Sequence, residues 1–272
     1  MEFVSSYVSH QPDIQGYVQY SAEDNFVWKT LYERQIEILP GRACSAFMEG
    51  LEALNLSKDA IPQLPEVNKR LEKMTGWRVS PVPALISAEA FFKLLARRHF
   101  PAATFIRTME DLNYIQEPDI FHELFGHCPL LTQTHYAEFV QQYAQFVLDS
   151  KPTVWPLLQR LFWFTVEFGL IRENGQLRAY GGGILSSIGE TPHCLESDEP
   201  MRVLFDPVVA FRTPYRIDQM QPIYFVIENF QQLFDFVQQD IDRLIHRARE
   251  LGEYPPFFLV DENNPNIHIR AC

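Results

Sequence analysis

Apolar residues recur every three to four positions along most of this chain, which is the spacing of amphipathic helices. From Glu23 the stripe is Val27, Leu31 and Ile38, with Trp28 and Tyr32 beside it, and Pro40–Gly41 stops it. A second helix is expected over Ala43 to Leu54 and a third from Pro65 to Met74, ending near Gly76. Pro81 and Pro83 mark a loop; Ser87 can cap the next helix, with Glu89 near its positive end. Pro118 suits the first turn of a short helix that Gly126 and Pro129 would end. Thr134 to Leu148 reads as helix, and Pro156 opens another with the stripe Leu157, Leu161, Phe164 and Phe168.

The segment RAYGGGILSS, Arg178 to Ser187, breaks the helical period and reads as strand and loop. Near the end, Ile227, Phe230, Phe234, Val237, Ile241, Leu244 and Ala248 step by three and four, predicting one long helix with a narrow seam. That seam packs a core or joins a homodimer. Residues 1–20 are polar and read as an extended arm, and Pro255 to Cys272 as short strand or coil. The rest, from residue 21 to 272, reads as a single, mainly α domain with a small β element.

Composition narrows the possible partners. A net charge of −12 argues against nucleic acid and anionic lipid as ligands. No apolar run reaches the ~18 residues of a membrane span, and no basic start with an apolar run opens the chain. Cys44, Cys128, Cys194 and Cys272 are scattered without a CxxC, as expected for reduced thiols in a cytoplasmic protein.

The candidate chemistry sits in PDIFHELFGHCPLL, Pro118 to Leu131. His122 and His127 are one residue further apart than the paired histidines of a zincin helix. Five residues turn an ideal α-helix by about 500°, so the two rings would point about 140° apart. Convergence requires the helix to loosen, which Gly126 permits by ending it. A third ligand is available in RLFWFTVEFGLI, where Glu167 stands among Phe162, Trp163, Phe164, Val166 and Phe168. A carboxylate buried there unpaired would be costly, and a metal cation removes the cost. Two histidines and one carboxylate leave coordination positions open, as in non-haem Fe(II) oxygenases; ligand type alone leaves zinc open too. The plain alternative is two polar histidines without a metal.

PDIFHELFGHCPLL, WFTVEFGLI and AYGGGILSSIGE, in that order and spacing, resemble the pterin-dependent aromatic amino acid hydroxylases. The similarity runs from about Tyr20 to about Pro256, and is strongest to bacterial members acting on phenylalanine. The resemblance implies their single-domain catalytic fold over residues 21–272, and an enzyme using Fe(II) and tetrahydrobiopterin or another reduced pterin. It implies conversion of L-phenylalanine to L-tyrosine with O2; hydroxylation of tyrosine or tryptophan is the alternative within the family.

Carried over by position, His122, His127 and Glu167 match the iron ligands. Glu123 matches the acid near the pterin and, with Trp163, is expected to serve catalysis. Phe91 matches the ring that stacks on the pterin, with Leu85, Ile86 and Ala88 flanking it. Arg107 matches the partner of the substrate carboxylate, and Asp119 an acid upstream of the first ligand. Trp163, Gly183 and Ser186 match the substrate pocket, Ser186 also supporting the ligand shell. Pro101, Phe162 and Ile115 depart from animal members and agree with bacterial ones. No regulatory domain accompanies the motifs, so allosteric control through one is not expected. Two other classes remain to be tested: a zinc hydrolase with Glu123 as base, and a non-catalytic scaffold using the Ile227–Ala248 seam.

Overall fold

The computed structural model describes residues 7–256. Elements run in the order α1 (Ala22–Ile38), α2 (Ser45–Leu54), α3 (Leu64–Thr75), β1 (Arg78–Val82), α4 (Ala88–Ala96) and β2 (His99–Ala103). Then come α5 (Thr134–Asp149), α6 (Trp155–Phe162), β3 (Gly169–Glu173), β4 (Gln176–Ala179), α7 (Gly182–Leu185) and α8 (Glu190–Glu196). The chain closes with β5 (Met201–Leu204), α9 (Pro207–Arg212), β6 (Ile223–Ile227), α10 (Phe230–Val237) and α11 (Ile241–Leu251). The mainly α reading with a small β element holds.

Caps explain several of the helix boundaries. Ser21 and Asp24 form a reciprocal capping box at the start of α1. Gly76, at φ 75°, ends α3 in the left-handed conformation that glycine adopts without strain. Ser87 accepts from the Ala90 amide, as expected for an N-cap.

The structure corrects the sequence reading in three places. Pro81 lies in β1, not in a loop; β1 pairs in parallel with β2 alone, so the missing N–H of Pro81 is tolerated at an edge. The glycine run does not stay irregular, because Gly182–Leu185 closes a helical turn. The long C-terminal helix is not one element. Ile227 ends the fully buried strand β6, Asn229 caps α10, and Asp240 caps α11 by accepting from the Arg243 amide. A period of three to four survives such a break, since the side chains of Asn and Asp compete with the helix locally. Of the expected seam, Ile227, Ile241 and Ala248 are buried, whereas Phe230, Phe234, Val237 and Leu244 are only half-buried; α10 turns Leu233 and Phe236 into the core instead. The C-terminal tail expectation lies, from residue 257 on, outside the described residues.

The four-stranded sheet has the order β4-β3-β6-β5 and fixes where the site forms. β3 and β4 make an antiparallel hairpin whose turn, Asn174–Gly175, holds φ values of 50° and 77°. Asn-Gly is the preferred pair for such a turn. The hairpin sends the chain back beside its own start: the amides of Tyr180 and Gly181 both donate to the Gly169 carbonyl, at 3.1 and 3.0 Å. Glu167, just before β3, and Gly181–Gly183, just after β4, are thereby set side by side.

Candidate metal centre

His122–His127 forms a π-turn, so Gly126 does not end the helix as its sequence suggested. Hydrogen bonds that close at i+5 widen the turn and bring residues five apart onto one face. An α-helix would have splayed these rings; the π-turn lets them meet, with Nε2 of His122 and Nε2 of His127 3.0 Å apart. Asp119 secures the entry, its Oδ1 accepting from the His122 amide at 3.0 Å. Phe100, on β2, lies under the His127 ring with centroids 4.8 Å apart.

The second histidine-facing segment is another π-turn, Trp163–Glu167, closed by the Phe168 amide donating to the Trp163 carbonyl at 2.9 Å. It delivers Glu167 Oε2 to 3.3 Å from His127 Nε2 and 3.6 Å from His122 Nε2. Three donors held at right angles ~2.1 Å from one ion lie about 3 Å apart, so this triangle fits a single metal on one face.

The tautomer of His122 fits as well. Ser186 Oγ donates to the Gly182 carbonyl at 2.8 Å, so it must accept from His122 Nδ1, 3.0 Å away. Nδ1 therefore carries the hydrogen, and the lone pair of Nε2 faces the triangle. Burial, followed by the neighbouring His127, lowers the His122 pKa to about 4, keeping the ring neutral as a ligand must be.

Two carboxyl groups stand near these nitrogens. Burial raises the pKa of Glu167, but His127 and His122 outweigh it and hold the carboxyl below its ordinary range. Glu123 goes the other way: burial first, then the charges of Glu167 and Asp119, push it well above that range. Glu123 also lies within 4.8 Å of both histidines as a possible ligand. Glu167 is the better third donor, because it is the ionised one and contacts both rings. Glu123 is left as a buried carboxyl that holds its proton more readily than a free one, a division of labour set by environment.

The glycine run is the seam between the two ligand segments. A β-carbon on Gly182 would strike the His127 ring at 2.4 Å, and one on Gly181 the Glu167 carbonyl at 2.2 Å. On Gly183 it would meet Phe168 at 2.9 Å and the Glu167 carbonyl at 3.1 Å. Gly126 faces the run from the other side, 2.7 Å from the Gly182 carbonyl by the same measure.

Arg107 is buried and held in a two-point pair by Asp119, Nε to Oδ2 at 2.7 Å and Nη2 to Oδ1 at 2.9 Å. Burial raises the Asp119 pKa, yet the Arg107 guanidinium and two backbone amides bring it below the usual carboxylate value. Since Asp119 also caps His122, one carboxylate links Arg107 to the first candidate ligand.

A family model of biopterin-dependent aromatic amino acid hydroxylases matches residues 4–257. The chain belongs to this family. It is 50% identical over 254 residues to phenylalanine-4-hydroxylase of Pseudomonas aeruginosa, covering 93% of this chain and 97% of that protein. Phenylalanine hydroxylase of Legionella pneumophila superposes with a TM-score of 0.91 at 64% identity, covering 93% and 100% of the two chains. The Chromobacterium violaceum enzyme, whose crystal structure is described with bound oxidised Fe(III), gives 0.86 at 41%, covering 93% and 94%. Rat tyrosine 3-monooxygenase is more distant, at 38% over 232 residues, or 84% of this chain and 46% of that protein. Membership gives the chain a biopterin-dependent chemistry and the catalytic fold of the aromatic amino acid hydroxylases. Among the described residues no helix is long and apolar enough to cross a membrane.

The positions expected on the pterin side lie together on the loop before α4 and on its first turns. Leu85 is 48% exposed, with Ile86 and Ala88 partly covered beside it. Phe91 packs edge-on against Phe162 with centroids 5.5 Å apart, and Phe162 immediately precedes the π-turn that carries Glu167. Trp163 is fixed by three partners: its indole N–H donates to Gln221 Oε1 at 3.0 Å, and it stacks with Tyr215 and Phe168 at 4.5 Å each. The sequence reading missed Phe100 and Gln221, neither of which stands out in its local sequence.

Proposed function

We propose that this chain converts L-phenylalanine to L-tyrosine with O2, using iron held by His122, His127 and Glu167 and a reduced pterin such as tetrahydrobiopterin. The observation that carries the reading is the convergence of two imidazole nitrogens and one carboxylate oxygen within 3.6 Å of one another. The iron-bound structure named above and the phenylalanine-hydroxylase names of the relatives point the same way. Iron and pterin, when bound, supply the activation of O2, one atom of which enters the substrate ring.

The remaining work falls to the protein's own side chains. Asp119 occupies Nε and Nη2 of Arg107, leaving Nη1 to bind the carboxylate of the amino acid. Trp163, immobilised by Gln221 and Tyr215, forms a flat wall for the aromatic ring, and Gly183 keeps the backbone beside it slender. Ser186 holds the His122 tautomer. Phe91 offers a ring face to the pterin, flanked by Leu85, Ile86 and Ala88. Glu123, whose carboxyl pKa is pushed well above its ordinary range by burial and by Glu167 and Asp119, would stand on the pterin side as a hydrogen-bond donor. Catalysis then rests on positioning and on exclusion of water. Three buried free cysteines support a reducing, cytoplasmic setting.

The test is turnover of purified protein reconstituted anaerobically with Fe(II), then given L-phenylalanine, tetrahydropterin and O2. Tyrosine formed in step with pterin oxidation is expected, at a higher kcat/KM than hydroxylation of tyrosine or tryptophan. His122→Ala and Glu167→Gln should fold yet lose both iron and product. Tyrosine formation without pterin, or full activity in either variant, would sink the reading.

A further inference from the structure

The N-terminal arm does more than trail across the surface, and Ser9 is where it acts. The parallel ladder of β1 and β2 ends at the pair Val82 and Ala103. Beyond it the two strands diverge, one into the loop that carries Leu85 and Ile86, the other into the segment that carries Arg107. The Ser9 hydroxyl stands at the point of divergence, 8% exposed as a residue. It donates to the Val82 carbonyl at 3.0 Å and accepts from the amides of Ala84 at 3.2 Å and Thr104 at 3.1 Å. A hydroxyl has one donor and two acceptor positions, so this one is fully used. In effect it is one further rung of the ladder, supplied from outside the sheet.

Two neighbouring features make the rung matter. Ala84 holds φ at 30°, a conformation that persists in a residue with a β-carbon only when its surroundings impose it. The Ser9 contact to the Ala84 amide is one such constraint, one residue before Leu85. On the other side the arm brackets Arg107: Thr104 Oγ1 donates to the His10 carbonyl at 2.6 Å, Tyr7 stacks on Phe105 at 4.8 Å, and the Thr108 amide donates to the Tyr7 hydroxyl at 3.3 Å.

We propose that Ser9 is a positioning residue that sets the pterin-side loop and the Arg107 segment relative to each other. It rests on the cofactor and substrate roles proposed above for those two segments. It touches neither ligand and acts by fixing the distance between the groups that do.

Ser9→Ala tests this, with Ile245→Val as a control that removes a buried methyl group in α11, on the opposite stretch of the chain. KM for L-phenylalanine and KM for tetrahydropterin should both rise about fivefold, roughly the size of one net hydrogen bond, while kcat changes less than about twofold. Ile245→Val should lower the melting temperature and leave both KM values alone. Amide hydrogen exchange should quicken together at Leu85–Ser87 and at Arg107, while Val79 inside β1 stays protected. The inference is overturned if only one KM moves, if the melting temperature alone changes, or if exchange quickens along all of β1. Should the wild-type protein hydroxylate nothing, the proposed function fails, and the exchange pattern still decides whether Ser9 joins the two segments.

Discussion

Gly182 lies against His127 so closely that a β-carbon at position 182 would sit 2.4 Å from both Cε1 and Nδ1 of the ring. No side chain can occupy that space while the imidazole keeps its place. Gly182→Ala is therefore expected to turn the His127 ring away from Glu167 and weaken metal binding by about ten- to a hundredfold, as loss of an orienting contact does. Far-ultraviolet circular dichroism should stay near wild type, because α7 is short and an alanine is tolerated in a helix. Metal titration followed by calorimetry checks it, and unchanged affinity would show that the ring can shift without cost.

Arg107 and Asp119 pose a different question, because the pair is both buried and proposed for substrate binding. Asp119→Ala leaves a guanidinium without its counter-charge and should cost about 3–5 kcal/mol of stability. Replacing both residues by leucine removes the stranded charge and should recover part of that loss. Turnover of L-phenylalanine should not recover in the double variant, since the group for its carboxylate is gone. Urea unfolding and steady-state kinetics on the wild type and the two variants separate the structural from the binding role. Recovery of turnover in the double variant would remove Arg107 from the substrate site.

Ser186 offers a test of the tautomer argument. Ser186→Ala removes the acceptor at His122 Nδ1, while the Gly182 carbonyl keeps its hydrogen bond from the amide of residue 186. The neutral ring can then carry its hydrogen on either nitrogen, and only one tautomer presents a lone pair at Nε2. Metal affinity is expected to fall by about ten- to a hundredfold, with a smaller effect on the KM for L-phenylalanine at saturating metal. Equal affinity in wild type and variant would mean that Ser186 does not set the tautomer.

These contacts show how far the sequence could be read. The candidate trio could be singled out because a carboxylate amid Phe162–Phe168 and a histidine pair near a glycine each break a local rule of burial or spacing. The manner of convergence was not legible, since a π-turn has no period of its own in so short a segment. The starts of helices with polar caps, such as α1 and α4, were placed within a residue of where they are observed. The break between α10 and α11 was hidden because the apolar spacing continues in phase across Gln238–Asp240. The β3–β4 hairpin left a clear trace in Asn174–Gly175, which the search for helical periodicity passed over. Contacts between distant segments, such as Phe100 under His127 or Gln221 on Trp163, carry no local mark at all.

The pH dependence of stability should report on Glu190, a buried acid outside the metal centre. Its Oε1 accepts from the Tyr224 hydroxyl at 2.5 Å and from the Gln221 amide at 3.0 Å, and Gln221 in turn holds Trp163. Burial raises the Glu190 pKa, although those two donors and His193 partly oppose the rise. A carboxyl whose folded pKa lies above its unfolded value binds more protons in the folded state between the two. Its stabilising contribution is thus complete below the ordinary carboxyl range, near pH 4.5, and is lost as pH rises through the raised value. Glu190→Gln keeps an oxygen for both donors and cannot ionise. The difference in stability between variant and wild type should therefore move in the variant's favour as pH rises from about 4 to 8. A difference that stays constant, or moves the other way, would mean that Glu190 is ionised in the native protein and stabilised there by Tyr224 and Gln221.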